Sequence, residues 1–127
     1  MKKVSFVIPC YRSESTLPHV VKEIKETMAQ LSEYCYEIIM INDCSPDHTF
    51  DTIQQLCKEA PKPEKKGLVA VKGINLAKNF GQHSALMAGF HYVTGDVIVC
   101  LDDDGQTPAN EVGKLLDGIE QGADVVY

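Results

Sequence analysis

The chain has 127 residues, long enough for one domain with a real core, and 44% of them are hydrophobic against 24% charged. Its formal net charge of −6 argues against non-specific nucleic-acid binding, which needs a basic face, and an anionic ligand would have to be held by a metal ion or by backbone N–H groups. Five scattered cysteines (Cys10, Cys35, Cys44, Cys57, Cys100), none spaced as C-x-x-C, fit reduced thiols in a cytosolic protein rather than a disulfide frame or a zinc site.

Met1-Lys2-Lys3 passes straight into a strand-like run, unlike a signal peptide, and no stretch approaches the roughly 20 apolar residues of a membrane span. Val4 to Pro9 reads as the first strand, closed by a proline that cannot donate to a ladder. After the loop Cys10-Tyr11-Arg12-Ser13, residues Leu17, Val20, Val21, Ile24, Met28 and Leu31 fall at helical spacing, with Pro18 near the helix start where its missing N–H does no harm. Tyr36 to Ile41 is a second strand. Asn42-Asp43-Cys44-Ser45-Pro46-Asp47-His48-Thr49 follows as turn and capping chemistry ahead of a helix carrying Phe50, Ile53, Leu56 and Cys57.

Residues 60–67 form a polar, proline-broken loop. Leu68 to about Leu76 reads as a third strand with Val69 and Val71 on one face. Ala77 to Ser84 leads into a small-residue helix through Ala85, Leu86, Ala88, Gly89, Phe90 and Val93, whose Ala and Gly face suits close approach to a sheet. Gly95-Asp96 turns the chain into Val97-Ile98-Val99-Cys100-Leu101, a continuous apolar run of the kind buried on both faces. Past Pro108 come a helix with Val112, Leu115, Leu116 and Ile119 and the opening of another strand at Ala123 to Tyr127. The chain stops inside that strand, which suggests the excised N-terminal portion of something longer.

The run ending at Leu101 stops in Asp102-Asp103-Asp104-Gly105-Gln106. In an extended segment Asp102 and Asp104 point to the same side, and two carboxylates held together repel unless one is protonated or a cation lies between them. A hard divalent ion with oxygen ligands, Mg²⁺ in particular, resolves that repulsion. The alternative is a solvated acidic turn. Strands alternating with helices argue for an α/β fold with an open, mostly parallel sheet. Ligands of such sheets lie beyond the carboxyl ends of the strands, where Pro9–Tyr11, Asp43–Ser45 and Asp102–Asp104 all fall.

The series Pro9-Cys10-Tyr11, Asn42 to Thr49, Asn79-Phe80-Gly81 and Asp102 to Gln106 resembles the family 2 glycosyltransferases of the GT-A fold. Lys78-Asn79-Phe80-Gly81 and Gln106-Thr107-Pro108 make it look most like the branch of dolichyl-phosphate mannose synthase and the bacterial polyprenyl-phosphate (bactoprenol) glucosyltransferases. The resemblance implies a Rossmann-like nucleotide-sugar-binding half over residues 1–127, truncated before the acceptor-binding half. It implies transfer of a sugar from a UDP- or GDP-linked donor to an acceptor, a polyprenyl phosphate, in cell-wall or lipopolysaccharide biosynthesis at the cytoplasmic face of the membrane. Pro9, Tyr11 and Ser13 would line base and ribose; Ile41 and Asp43 would meet the base. Asp102 and Asp103 would border ribose and diphosphate, and Asp104, with Asp102 and Gln106, would hold Mg²⁺ or Mn²⁺ (the DXD motif). The catalytic base would come from the missing half, so this chain alone is expected to bind donor without turnover. Where the branch has Tyr-Asn-Glu, this chain has Tyr11-Arg12-Ser13, with Glu14 one place later.

Plainer readings stand beside these. Asp43 and Ser45 could simply cap the second helix, Tyr11 could be a loop aromatic, and Asn79 and Gly81 could serve only the turn into the third helix. His19, His48, His83 and His91 have no metal or triad spacing and read as surface or helix residues. Rival functions are a family 2 transferase acting on a saccharide acceptor, a receiver-like signalling domain with carboxylates around Mg²⁺, and a non-catalytic metal- or nucleotide-binding module.

Overall fold

The computed structural model describes residues 2–30, 34–58, 68–78, 81–101 and 125–126. Strands β1 (Lys2–Cys10), β2 (Tyr34–Asn42), β3 (Leu68–Asn75), β4 (Val97–Cys100) and β5 (Val125–Val126) alternate with helices α1 (Leu17–Ala29), α2 (Thr49–Lys58) and α3 (Gln82–Phe90). All strand pairs are parallel, in the order β3-β2-β1-β4-β5. This is the open α/β sheet that the alternating pattern predicts.

Continuous apolar runs place β1 and β2 at the centre, because only strands covered on both faces need them. Val4, Phe6, Ile8, Cys10, Ile38 and Met40 face a layer filled by Leu17, Val20, Val21, Ile24 and Met28 of α1 and Ile53 and Leu56 of α2. Val7, Ile39 and Ile41 face the other way, against Ala85 and the half-buried Leu86 and Ala88 of α3. The side chains of Ile38, Ile39, Met40 and Ile41 are wholly buried, which stabilises the fold by on the order of 10 kcal/mol from these four alone. The Ala and Gly face of α3 serves close approach, since a Cβ on Gly89 would come 2.7 Å from both Ile41 and Val7.

Two details differ from the sequence reading. β1 continues one residue past Pro9, to Cys10. The carbonyl of Val7 accepts the Leu101 N–H (3.1 Å), so odd-numbered residues of β1 direct their backbone groups toward β4, and the last β1–β4 pair is Val7↔Cys100. At Pro9 no donor is required. Val69 and Val71 do not share an environment: a register shift lets Tyr36 pair Leu68 and Glu37 pair Ala70, leaving Val69 48% exposed while Val71 packs on the α1–α2 layer. Helix α1 runs Leu17–Ala29, with Pro18 in its first turn. The loop 60–67, Leu31 and the helix expected after Pro108 lie outside the described residues.

The chain reverses its direction across the sheet between β1 and β4. α1 and α2 lie on one face and α3 on the other, so the crevice opens where the carboxyl ends of β1 and β4 diverge.

Candidate functional site

Beyond the carboxyl ends of β1, β2 and β3 the connecting loops are laced together. Asp43 N–H donates to the Cys10 carbonyl (2.9 Å), and Leu76 N–H to the Asn42 carbonyl (3.0 Å). The Asn42 side chain works both ways: its Nδ2 donates to Asn75 Oδ1 (2.8 Å) and its Oδ1 accepts the Ser45 N–H (3.2 Å). Arg12 N–H donates to Ser45 Oγ (2.8 Å). Arg12 and Cys44 hold left-handed φ values of 52° and 53° to make these turns, a conformation non-glycine residues adopt at a cost.

Asp47, rather than Asp43, serves the start of α2. Its Oδ1 accepts from the Thr49 N–H (3.1 Å), the Thr49 hydroxyl (2.5 Å) and the Ser45 hydroxyl. Slight burial pushes the Asp47 carboxyl up, but these donors outweigh it and hold it below the usual carboxylate range. Asp43 goes elsewhere. It is 3% exposed, and its Oδ2 accepts the Gly81 N–H across the cleft (3.1 Å). Gly81 has φ +91° and ψ 163°, a conformation open essentially to glycine alone, and caps α3 with no side-chain bond. The capping reading therefore fits Asp47, and Asp43 is the carboxylate set between the second and third loops.

The remaining predicted residues divide. Tyr11 stands 41% exposed, with the Arg12 guanidinium 5.6 Å from its ring centre. Ser13 is 2% exposed; its N–H donates to Thr49 Oγ1 (3.0 Å), and its own hydroxyl has no hydrogen-bond partner among the described residues. Pro9 is buried and pairs with Ile41, whose side chain lies in the layer under α3. Asp102, Asp103, Asp104 and Gln106 lie outside the described residues, as does Asn79. What is described is the strand that leads to them: β4 ends at the switch point, and the next residue in sequence after Leu101 is Asp102. Burial pushes the Cys100 thiol on that strand up to about 11, which keeps it protonated and inert. The donor set from Asp102 to Gln106 is all oxygen, which suits Mg²⁺ or Mn²⁺. Among the described residues no three His, Cys, Asp or Glu side chains group to hold a metal, and no helix is long and apolar enough to cross a membrane.

One charged residue escaped the sequence reading. Glu37 lies in the middle of an apolar strand and is fully buried, at the opposite end of the sheet from the loops. Its Oε2 accepts from Ser5 Oγ (2.6 Å), the Thr94 N–H (2.8 Å) and Thr94 Oγ1 (3.0 Å). Its Oε1 stands 3.0 Å from Lys72 Nζ and 3.9 Å from Lys3 Nζ. Burial pushes the carboxyl up, yet the hydrogen bonds from Ser5, Thr94 and Lys72 prevail and bring it down to about 2. A lone Glu inside Tyr36–Ile41 was the available signal, because a carboxylate in such a strand has to be paired.

A doubly wound parallel sheet, with loops tied over the carboxyl ends of β1, β2 and β3 and a buried aspartate between them, places the chain in the open, doubly wound α/β class. The chain belongs to glycosyl transferase family 2, whose family model matches residues 5–127. It is 41% identical over 126 residues to the undecaprenyl-phosphate 4-deoxy-4-formamido-L-arabinose transferases of Klebsiella pneumoniae (strain 342) and Photorhabdus laumondii. The match covers 99% of this chain and 36% of each relative's length. The mannosyltransferase PcManGT from Pyrobaculum calidifontis, solved in complex with GDP-Man and Mn²⁺, superposes with a TM-score of 0.72 at 19% identity, over 97% of this chain and 33% of its own. TarS 1–349 of S. aureus does so at 0.65 and 18% identity, over 94% and 32%. The fold is thus that of GT-A glycosyltransferases. A receiver-like domain is excluded by strand order, since that fold is wound 2-1-3-4-5 and this one 3-2-1-4-5.

Proposed function

We propose that residues 1–127 form the donor-binding part of a glycosyltransferase that moves a sugar from a UDP- or GDP-linked donor onto a polyprenyl phosphate at the cytoplasmic face of a membrane. The observation that carries the reading is the tying of the Tyr11 loop and the Gly81-oriented Asp43 beyond the carboxyl ends of β1 and β2, at the same edge of a family 2 sheet where β4 ends. The relatives named for undecaprenyl phosphate support the acceptor class.

In this reading Tyr11 offers a ring face to base or ribose, and Asp43 accepts a hydrogen bond from a base N–H. Asp102, Asp104 and Gln106 would hold Mg²⁺ or Mn²⁺, which when bound neutralises the charge developing on the leaving diphosphate. A phosphate oxygen of the acceptor attacks the sugar C1 as the bond from C1 to the diphosphate oxygen breaks, and the nucleoside diphosphate departs with that electron pair. The acceptor is already an anion, so it needs less help from a general base than a sugar hydroxyl would. Titration calorimetry with UDP-glucose, UDP-GlcNAc and GDP-mannose, with and without Mn²⁺, tests the site. Metal-dependent binding weakened by Asp104→Asn is the expected outcome; binding indifferent to both would sink the assignment.

A further inference from the structure

We propose that Glu37 is a positioning residue, whose buried cluster fixes the start of β4 and so sets where the chain emerges into Asp102; its functional meaning rests on the nucleotide reading above. β4 is four residues long, with Val97 and Val99 in the core and Ile98 and Cys100 half-buried on the other face. A slip of one residue would exchange those faces and move everything that follows. So short a strand needs its register imposed from outside.

The segment before it supplies that imposition. Thr94 is held twice by Glu37 Oε2. Gly95 N–H donates to Ser5 Oγ (2.9 Å), and the same hydroxyl donates to Glu37. Asp96 pairs with the Lys3 backbone in both directions, its N–H reaching the Lys3 carbonyl (2.7 Å) and its Oδ2 accepting the Lys3 N–H (3.0 Å). Lys72, balancing Glu37 from β3, also donates to the Tyr92 carbonyl (3.2 Å). The turn is pressed close: a Cβ on Gly95 would stand 2.5 Å from Ser5 Oγ and 2.8 Å from the Lys3 carbonyl. Three strands thus grip residues 92–96, and Glu37 is the common acceptor. At the far end the Leu101 N–H donates to the Val7 carbonyl (3.1 Å), the one bond among the described residues that holds the strand beyond its ladder. Leu101 lies five residues from Asp96, about 17 Å of extended chain, and Asp102 follows it in sequence.

Native-state hydrogen exchange on this chain decides the matter. In Glu37→Ala the Leu101 amide is expected to lose at least tenfold more protection than the amides of Phe6 and Ile38 in β1 and β2. Glu37→Gln with Lys72→Met keeps an acceptor for Thr94 and removes the nearer of the two ammonium groups, leaving only Lys3 at 3.9 Å, and is expected to restore Leu101 to within threefold of wild type. Equal losses at Leu101, Phe6 and Ile38 would make Glu37 a contributor to overall stability alone and overturn the proposal. Should Glu37→Ala fail to fold, Thr94→Ala carries the same comparison, since it removes one of the two Thr94 bonds and leaves the strands intact. UDP with Mn²⁺ gives the functional arm, with affinity at least tenfold weaker in the variant. A wild-type chain that binds no nucleotide removes the nucleotide reading, while the exchange comparison still decides what Glu37 does.

Discussion

Acid should destabilise this chain through Glu37, and the size of the effect follows from the structure. The carboxyl titrates near 4.5 when free and at about 2 in the fold, where burial is outweighed by Ser5, Thr94 and Lys72. By linkage that difference stabilises the folded state by about 3 kcal/mol at neutral pH. The folded value is the lower one, so the contribution is complete above about 4.5 and is lost as pH falls toward about 2. Against a typical domain stability of roughly 5–15 kcal/mol this is a large share. Urea unfolding between about pH 7 and about pH 2 measures it, with wild type compared against Glu37→Gln to separate this carboxylate from Asp47 and the others. Wild type is expected to lose about 3 kcal/mol more than the variant over that range, and the variant to be less stable at neutral pH by roughly 3–5 kcal/mol, because Lys72 and Lys3 are left facing an uncharged amide. Parallel pH profiles for the two proteins would refute the reasoning.

Asp43→Ala removes the acceptor for the Gly81 N–H and, in the proposed site, for the base; nucleotide affinity measured by calorimetry should fall by at least about tenfold. Gly81→Ala meets open space, so its effect is backbone strain alone, a loss of about 1–3 kcal/mol visible in thermal melts. Iodoacetamide should label the exposed Cys44 well before the buried Cys10 and the half-buried Cys100, and UDP with Mn²⁺ should slow that labelling if nucleotide covers the second loop. Equal rates at Cys44 and Cys100 would contradict the burial that raises Cys100.

Periodicity made the sheet and its helices legible, because β1 and β2 are buried on both faces, β4 is buried on one and half-buried on the other, and α1 and α2 are amphipathic. Topological position also placed the Tyr11 and Asp43 loops at strand ends before any coordinates. Partners were not readable. That Asp47 caps α2 while Asp43 turns to Gly81 depends on the third loop folding back over the second, a contact between residues 38 positions apart. The Val69 bulge came from a register shift that no local pattern announces. Glu37 was missed because strand assignment rewards the apolar neighbours and passes over the one charge, whose partners come from β1, β3 and the turn before β4. Ile41 shows the same limit: its side chain serves the layer beneath α3, a role set by the side of the sheet that α3 covers.

The central claim is that a metal-assisted nucleotide-sugar site lies at the switch point, and calorimetry of UDP- and GDP-sugars with and without Mn²⁺ tests it most directly. Saturable binding of one nucleotide class, strengthened by Mn²⁺ and lost in both Asp43→Ala and Asp104→Asn, is the predicted result. A folded chain that binds neither class, or binds one equally with and without metal and in both variants, would contradict it.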